Sequence, residues 1–159
     1  MNTTANETQI VADPKVPAIV ITREFDAPRE KVFRAHTEAD LVVQWLGPRS
    51  LEMKIDHYDC RTGGSYRYIH SQDGEEYAFH GSFHEVRPSE VIVQTFTYEG
   101  MPDEVALERL VLEDIGGGRT RLIATSLTTS FEGRDAMIAS GMEVGIREGY
   151  ERLDDLLAG

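Results

Sequence analysis

The feature that most constrains the fold of this chain is an apolar stripe close to its end. Within residues 135–157, apolar residues and one glycine recur three or four positions apart, at Ile138, Met142, Ile146, Gly149, Leu153 and Leu156. This spacing places them on one face of an α-helix. Charged residues occupy the opposite face, so the stripe predicts a long helix that buries one side against other elements.

Three glycines accompany this stripe at four-residue intervals, Gly141, Gly145 and Gly149. A glycine inside a helix destabilises it by about 1 kcal/mol relative to alanine, so a compensating contact is expected. The favoured interpretation is a sheet that packs closely against the helix, where a side chain would not fit. The alternative is that the missing side chains leave space for a ligand between helix and sheet.

Before the helix, apolar and polar residues alternate in short runs separated by turn residues, which is typical of β-strands. One run covers residues 19–25, and six more follow within residues 51–129. After the first run, Asp26 is predicted to cap a short helix that has Pro28 in its first turn. A second short helix is predicted at residues 38–46.

This order predicts an α+β fold with a curved antiparallel sheet of about seven strands. One face of the sheet must be covered, and the last helix is the only predicted element long enough to cover it. A concave sheet and a straight helix cannot touch everywhere, so a cavity at one end is expected. Residues 1–17 are polar, carry two prolines and are predicted to be flexible, and residues 18–159 are predicted to form a single domain.

The charge of the chain argues against several classes of partner. The chain has 28 acidic and 16 basic residues, which gives a formal net charge of −12. Such a surface repels phosphate groups, so neither nucleic acid nor an anionic membrane surface is an expected partner. No run of residues is long and apolar enough to span a bilayer, and residues 1–17 lack the pattern of a secretion signal.

The single cysteine, Cys60, excludes an internal disulfide and fits a reducing compartment. A cytoplasmic location is therefore expected. No sequence feature around Cys60 indicates an activated thiol, so it is interpreted as a small hydrophobic residue.

The strand alternation also predicts which side chains face the cavity. The predicted ligand-binding residues are Trp45, Tyr66, Tyr68, His70, Phe79, Phe83, Phe96, Glu108, Leu110, Met142, Ile146 and Tyr150, with Trp45 near an opening. Taken singly, each is better explained as ordinary core; the set as a whole indicates a cavity. Buried tyrosine hydroxyls need hydrogen-bond partners, so several of them on inward faces indicate a partly polar interior. No cofactor is predicted.

Two histidines on one strand, His80 and His84, raise the question of a metal site. Four residues along a strand span about 13 Å, too far for two ligands of one ion. Both lie on the face opposite Phe79 and Phe83, so they are predicted to face solvent. The sequence shows no Ser/His/Asp order, phosphate-binding glycine loop or paired-cysteine spacing. No catalytic residue and no metal ligand are predicted.

His70 and Glu108 are the two ionisable groups predicted on cavity faces. His70 follows Tyr66 and Tyr68 on one strand face, where a hydrogen-bonded polar group is favoured over a general base. Glu108 shares its strand face with Leu110. If that face is buried, the pKa of Glu108 rises and the carboxyl can act as an acid or orient a polar ligand. Because Glu108 lies near a strand end, the interpretation that it reaches water is favoured.

Several stretches, taken together and in order, resemble one family. They are Ala27-Pro28 through Val32-Phe33-Arg34-Ala35, Gln44-Trp45-Leu46-Gly47-Pro48, Asp59-Cys60-Arg61-Thr62-Gly63-Gly64, Gly81-Ser82-Phe83-His84-Glu85-Val86 with Pro88, and Gly141-Met142-Glu143 through Tyr150-Glu151-Arg152-Leu153. The chain resembles the activator of heat-shock-protein-90 ATPase homologues, within the START-like (SRPBCC) superfamily, over roughly residues 19–157. The resemblance implies a helix-grip fold with a deep cavity for hydrophobic molecules.

The chain departs from the family pattern at two positions. Leu46 stands where the family often has a second tryptophan, which removes one ring from the cavity mouth. Thr62 replaces the usual proline of the glycine turn, which loosens the turn without removing it.

The resemblance implies no single activity, because the superfamily includes lipid carriers, hormone receptors, polyketide cyclases and chaperone activators. The first hypothesis is a cytoplasmic protein that binds a small hydrophobic or aromatic molecule without catalysing a reaction. One alternative is an enzyme of the same fold with acid–base chemistry of the cyclase, hydratase or hydrolase type. The other is a module that acts on a chaperone ATPase. The oligomeric state stays open, a homodimer through a sheet edge or the outer face included.

Overall fold

The computed structural model describes residues 6–159, which form eight strands and four helices. In chain order they are β1 (Gln9–Ala12), β2 (Ala18–Phe25), α1 (Arg29–Thr37), α2 (Ala39–Val42), β3 (Glu52–Tyr58), β4 (Ser65–Gln72), β5 (Glu75–Arg87), β6 (Val91–Tyr98), β7 (Ala106–Gly116), β8 (Arg119–Leu127), α3 (Phe131–Ala139) and α4 (Met142–Ala158). The strands pair antiparallel in the order β1-β2-β8-β7-β6-β5-β4-β3. The predicted α+β fold is confirmed: a curved, open sheet, two short helices early in the chain and a long C-terminal helix.

The strand that the sequence analysis did not predict is β1. Gln9 pairs with Thr22 and Ala12 pairs with Ile19, so residues 9–12 form an edge strand within the segment predicted to be flexible. This strand accounts for the difference from the predicted number of about seven. Residues 1–5 of that segment lie outside the described residues, and the domain boundary after residue 17 stays a prediction.

The predicted terminal helix is divided into two. The helix α3 begins earlier than predicted, because the Ser130 side chain accepts a hydrogen bond of 2.9 Å from the Gly133 backbone N–H and caps it. The chain then breaks at Gly141, whose φ of +88° lies in the left-handed region that favours glycine. The prediction of one continuous helix over residues 135–157 was therefore wrong at Gly141, which separates α3 from α4.

The two early helices are confirmed, but their ends differ from the prediction. Asp26 does not cap α1, because its carboxylate accepts hydrogen bonds from Arg119 (2.8 Å) and Asn6 (3.0 Å). Pro28 is the N-cap residue instead, and no side chain caps this end. The second helix, predicted at residues 38–46, is the single turn α2.

The glycines of the terminal stripe allow close approach to a loop rather than to the sheet. A Cβ at Gly149 would lie 3.1 Å from the Trp45 carbonyl oxygen and 3.3 Å from the Gly47 nitrogen. A Cβ at Gly145 would lie 3.3 Å from the Pro48 ring. At Gly145 and Gly149 the space is therefore filled by residues 45–48, so the predicted close contact with the sheet was wrong at these two positions, whereas a Cβ at Gly141 would meet open space.

The apolar face of α4 lies inside the curve of the sheet. Tyr150, Leu153 and Leu157 are buried and share a core cluster with Phe25 of β2 and Leu122 of β8. The rings of Phe25 and Tyr150 pack edge to face with centroids 5.4 Å apart. Each large side chain buried in this way contributes about 1.5–3 kcal/mol to stability. Among residues 6–159, no helix is both long and apolar enough to cross a membrane.

Candidate ligand-binding site

The inner face of the sheet carries the aromatic residues that the strand alternation predicts. Tyr66, Tyr68 and His70 are 2%, 8% and 6% exposed, on alternate positions of β4. His80 and His84 lie on the exposed face of β5, as predicted. The alternation therefore assigns the two faces of these strands correctly.

Three polar side chains form a row across the inner face of β6, β7 and β8. The strand register places Gln94 opposite Glu108, and Glu108 opposite Ser126. The Gln94 side-chain amide donates to Glu108 Oε1 at 3.2 Å, and the Ser126 hydroxyl donates to Oε2 at 3.1 Å. We call these three residues the carboxyl row. Its centre is an acidic group held by two neutral donors.

Glu108 lies on an interior strand and keeps part of its surface exposed. It is the third residue of β7, and burial raises its pKa to about 7, while the hydrogen bonds from Ser126 and Gln94 oppose that rise. Because the residue is intermediate in exposure, the favoured interpretation that it reaches water near a strand end stays a prediction.

Tyr66 connects the carboxyl row to β4. Its hydroxyl donates to the Thr95 carbonyl oxygen at 2.7 Å and accepts from the Gln94 amide at 3.2 Å. Gly81 makes this possible, since a Cβ there would lie 2.7 Å from the Tyr66 hydroxyl and 2.0 Å from the Thr95 oxygen. Deep burial raises the pKa of Tyr66, and the neighbouring Tyr68 and Glu108 add to the shift, so its phenol stays protonated.

A continuous line of aromatic rings extends from Tyr66 along the sheet. Ring centroids are 6.0 Å apart for Tyr66 and Tyr68, 5.3 Å for Tyr68 and Phe79, and 5.4 Å for Phe79 and Phe96. Phe83 packs beside Tyr66 at 5.2 Å and is fully buried. The rings form one wall between β4 and β6.

Four more of the predicted residues lie on β7 and α4. Leu110 is half-buried and packs against both core clusters of the protein. Met142 and Ile146 of α4 are half-buried as well, and Tyr150 is buried. Burial raises the pKa values of Tyr68 and Tyr150, and the Glu108 charge adds to both shifts. Glu108 therefore interacts electrostatically with both phenols.

A cavity of about 140 Å³ opens beside the carboxyl row. Phe96, Ala106 and Thr128 line it, and each lies two residues along the chain from a member of that row. Met101 and Val105, which also line it, are 51% and 44% exposed, so the cavity reaches the surface. The remaining lining residues are Tyr98, Glu104, Gly133, Ala136, Met137 and Ser140.

Of the predicted ligand-binding residues, Phe96 alone lines this cavity. The others form its deeper surroundings or the core. The loop between β6 and β7 and the helix α3 were missed, although the apolar Met101 and Val105 in a polar loop gave a signal. Gln94 and Ser126 were also missed. Each lies at alternate positions with apolar residues of its strand, and this alternation could have indicated that both face inward.

Trp45 and His70 lie at the other end of the inner face. Trp45 is 4% exposed and donates from its indole nitrogen to the Ala35 carbonyl oxygen at 2.8 Å, so it belongs to the core and not to an opening. His70 packs edge to face on Tyr68, and a Cβ at Gly47 would clash with its ring. Burial lowers the pKa of His70. His70 and Glu108 share no hydrogen-bond partner among residues 6–159.

Burial raises the pKa of the Cys60 thiol to about 12, which leaves it protonated and unreactive. Among the described residues, no group of three or more histidine, cysteine and acidic side chains is placed to hold a metal ion.

Comparison with known proteins identifies the family. The family model described as Activator of Hsp90 ATPase homolog 1-like protein matches residues 26–158. The comparison with curated proteins gave no match.

Solved structures share the fold along nearly the whole chain. Protein Ms6760 from Mycobacterium smegmatis is 22% identical with a TM-score of 0.85, covering 94% of this chain and 96% of its own. A protein from Rhodobacter sphaeroides is 28% identical with a TM-score of 0.84, covering 94% and 97%. A protein from Arthrobacter aurescens is 24% identical with a TM-score of 0.86, covering 94% and 91%. Since the family model spans most of the chain and the helix-grip fold agrees with it, this chain belongs to the Activator of Hsp90 ATPase homolog 1-like protein family.

Proposed function

We propose that this protein binds a small, largely apolar molecule between the inner face of its sheet and the helices α3 and α4, in the cytoplasm. The observation that carries the proposal is the cavity beside the carboxyl row. Its lining is mostly apolar, and a few fixed polar groups lie at one side, which is the usual composition of a ligand site.

The size of the cavity limits the ligand. A volume of about 140 Å³ is close to that of apolar cavities that accept one benzene-sized ring. The ligand is therefore a single-ring compound, or a longer molecule that places one ring or short chain inside. The exposed residues at the rim allow the rest of such a molecule to remain outside.

Native mass spectrometry of the protein purified from its own host tests whether a ligand is present. We expect a mass excess of one small molecule, which is released when the protein is denatured. A bare protein mass, together with no binding of a neutral apolar fluorophore such as N-phenyl-1-naphthylamine, would contradict the proposal.

Two matched variants locate the site. Ala136 and Ala139 are both exposed on α3, and of the two only Ala136 lines the cavity. We expect Ala136→Trp to fill the cavity and weaken binding of the fluorophore at least about tenfold, a change of 1.4 kcal/mol. Ala139→Trp adds the same side chain and should leave the affinity unchanged. Equal affinities for both variants would place the site elsewhere.

One observation favours an enzyme as the second candidate function. The Glu108 carboxyl has a pKa of about 7 inside the protein, which suits a group that donates and accepts protons at neutral pH. The test compares the small molecules released from the wild type and from Glu108→Gln after purification from the same host. Identical masses indicate binding alone. A different mass on the variant indicates a substrate that only the wild type converts.

A further inference from the structure

We infer that the ligand of this site carries a protonated amine, which the Glu108 carboxylate binds as an ion pair beneath the aromatic wall. This inference rests on the proposed ligand-binding function and specifies the chemical class of the ligand. It depends on the hydrogen bonds of the carboxyl row, on the ion pairs elsewhere in the protein and on the rings that surround Glu108.

The hydrogen bonds of Tyr66 fix Glu108 as an acceptor. The Tyr66 hydroxyl uses its one proton on the Thr95 carbonyl oxygen, so it can only accept from Gln94. Gln94 must then present its NH₂ group, whose second proton points at Glu108 Oε1. The protein thereby orients a donor toward the carboxyl, which favours the ionised form of Glu108.

The protein supplies no positive charge to this carboxylate. Its two partners, Gln94 and Ser126, are neutral, and none of the ion pairs formed within residues 6–159 includes Glu108. A carboxylate accepts about four hydrogen bonds, so each oxygen keeps capacity for a further donor. A buried carboxylate without a cation is unfavourable by several kcal/mol. A cationic ligand removes that penalty and fills the remaining acceptor positions.

The rings around Glu108 suit a cation as well. Tyr66 and Tyr68 from β4 and Tyr150 from α4 are the titratable groups that face it, and their raised pKa values keep them neutral. Neutral aromatic rings attract cations to their faces. Arg23 is a cation whose charge acts on Tyr150, but Asp154 already pairs with Arg23 at 2.6 Å.

The cavity gives the length of the ligand. Three of its lining residues, Phe96, Ala106 and Thr128, each lie two residues along the chain from a member of the carboxyl row. Two residues along a strand span about 7 Å. A ring in the cavity therefore needs a short chain to bring an ammonium group to Glu108. 4-Phenylbutylamine has this form, and 4-phenylbutanol is its neutral counterpart of nearly the same shape.

The experiment measures the affinities of both compounds by calorimetry at pH 8, where the amine is protonated. We expect the wild type to bind the amine at least about tenfold more tightly than the alcohol, which corresponds to 1.4 kcal/mol. Glu108→Gln should bring the two affinities within about twofold. Glu104→Gln is the matched control, because it removes an equal charge from the exposed rim of the same cavity, and it should preserve most of the preference.

A second measurement needs no variant. Lowering the pH from 8 to 5.5 protonates Glu108 in the wild type but leaves the amine charged, so the preference for the amine should disappear. Equal binding of amine and alcohol by the wild type at pH 8 would overturn the inference and leave the proposed function standing. Binding of neither compound would overturn both. If Glu104→Gln alone abolished the preference for the amine, the cation would be bound by Glu104 at the rim of the cavity and not by Glu108.

Discussion

Arg23 of β2 donates two hydrogen bonds to Asp154 of α4, from Nη1 to Oδ1 at 2.8 Å and from Nη2 to Oδ2 at 2.6 Å. Arg23 occupies an inward position of the strand between Ile21 and Phe25, and its guanidinium lies 4.8 Å from the Phe25 ring centroid. The Arg23 side chain is 3% exposed and that of Asp154 is 35% exposed. This bidentate pair fixes the position of α4 along the sheet.

Removal of the Asp154 carboxylate should destabilise the protein. Asp154→Ala leaves the buried Arg23 guanidinium without a charged partner, and only the Glu24 carbonyl oxygen remains as an acceptor. Breaking a buried ion pair costs about 3 kcal/mol or more, and the partial exposure of Asp154 reduces this to about 2–3 kcal/mol. The free energy of unfolding in urea is the measurement. Asp155→Ala is the control, since it removes the same charge from an exposed position. Equal losses in both variants would contradict a specific role for the pair.

Glu108→Gln should change the pH dependence of stability. The pKa of Glu108 is about 7 in the folded protein and near 4.5 when unfolded, so the native state binds the additional proton between these values. The contribution of Glu108 is therefore fully present below pH 4.5 and is lost as the pH rises through 7. Relative to the variant, the wild type should lose about 3 kcal/mol between pH 4.5 and pH 8. A constant difference across this range, measured by urea unfolding, would show that the carboxyl is solvated.

His36 should produce a pH dependence of the opposite sign. Burial lowers its pKa to about 4, while the hydrogen bond of 2.8 Å to the Val32 carbonyl oxygen opposes that shift. The contribution of the neutral His36 ring to the free energy of unfolding is fully present above pH 6.5, and it is lost as the pH falls toward 4. His36→Phe keeps the packing against Trp45 and cannot titrate. Relative to this variant, the wild type should lose about 3 kcal/mol between pH 6.5 and pH 4; parallel unfolding curves would refute the neutral state.

Alanine substitutions at the two glycines of α4 should have different effects on stability. A Cβ at Gly149 meets backbone atoms of Trp45 and Gly47, which cannot move without shifting the loop, so Gly149→Ala should destabilise by about 1–3 kcal/mol. A Cβ at Gly145 meets the Pro48 ring, which can shift, and the helix gains up to about 1 kcal/mol of propensity. Gly145→Ala should thus be neutral or stabilising. Thermal unfolding of the two variants is the measurement, and equal midpoints would contradict the backbone contact.

Alternation and periodicity were sufficient to predict most of the fold. The inward positions of Tyr66, Tyr68 and His70 follow from the two-residue period of a strand, and Leu153 follows from the helical period. Two elements were not predictable in this way. The strand β1 has four residues, too few for a clear period, and Gly141 ends α3 through a positive φ that sequence spacing does not reveal.

The candidate site was predicted only in part, because a cavity depends on how distant elements meet. Glu108 was placed on the correct face, yet its depth depends on β6 and β8 on either side and on the helices above. The alternation places Gln94 and Ser126 on the same strand faces as apolar residues, but only the strand register brings them to Glu108. The rim residue Met101 and the α3 residue Met137 are far apart in sequence and meet only in the folded chain.

The break at Gly141 separates two tasks along the chain. The residues after it, on α4, include the buried side chains Tyr150, Leu153 and Leu157. The helix α3 before it supplies Gly133, Ala136 and Met137 to the cavity, and Ser140 follows at its end. Substitutions in α3 can therefore reshape the chamber while the anchoring helix keeps its sequence. The lining of the cavity can in this way vary among sequences that share the same anchoring helix.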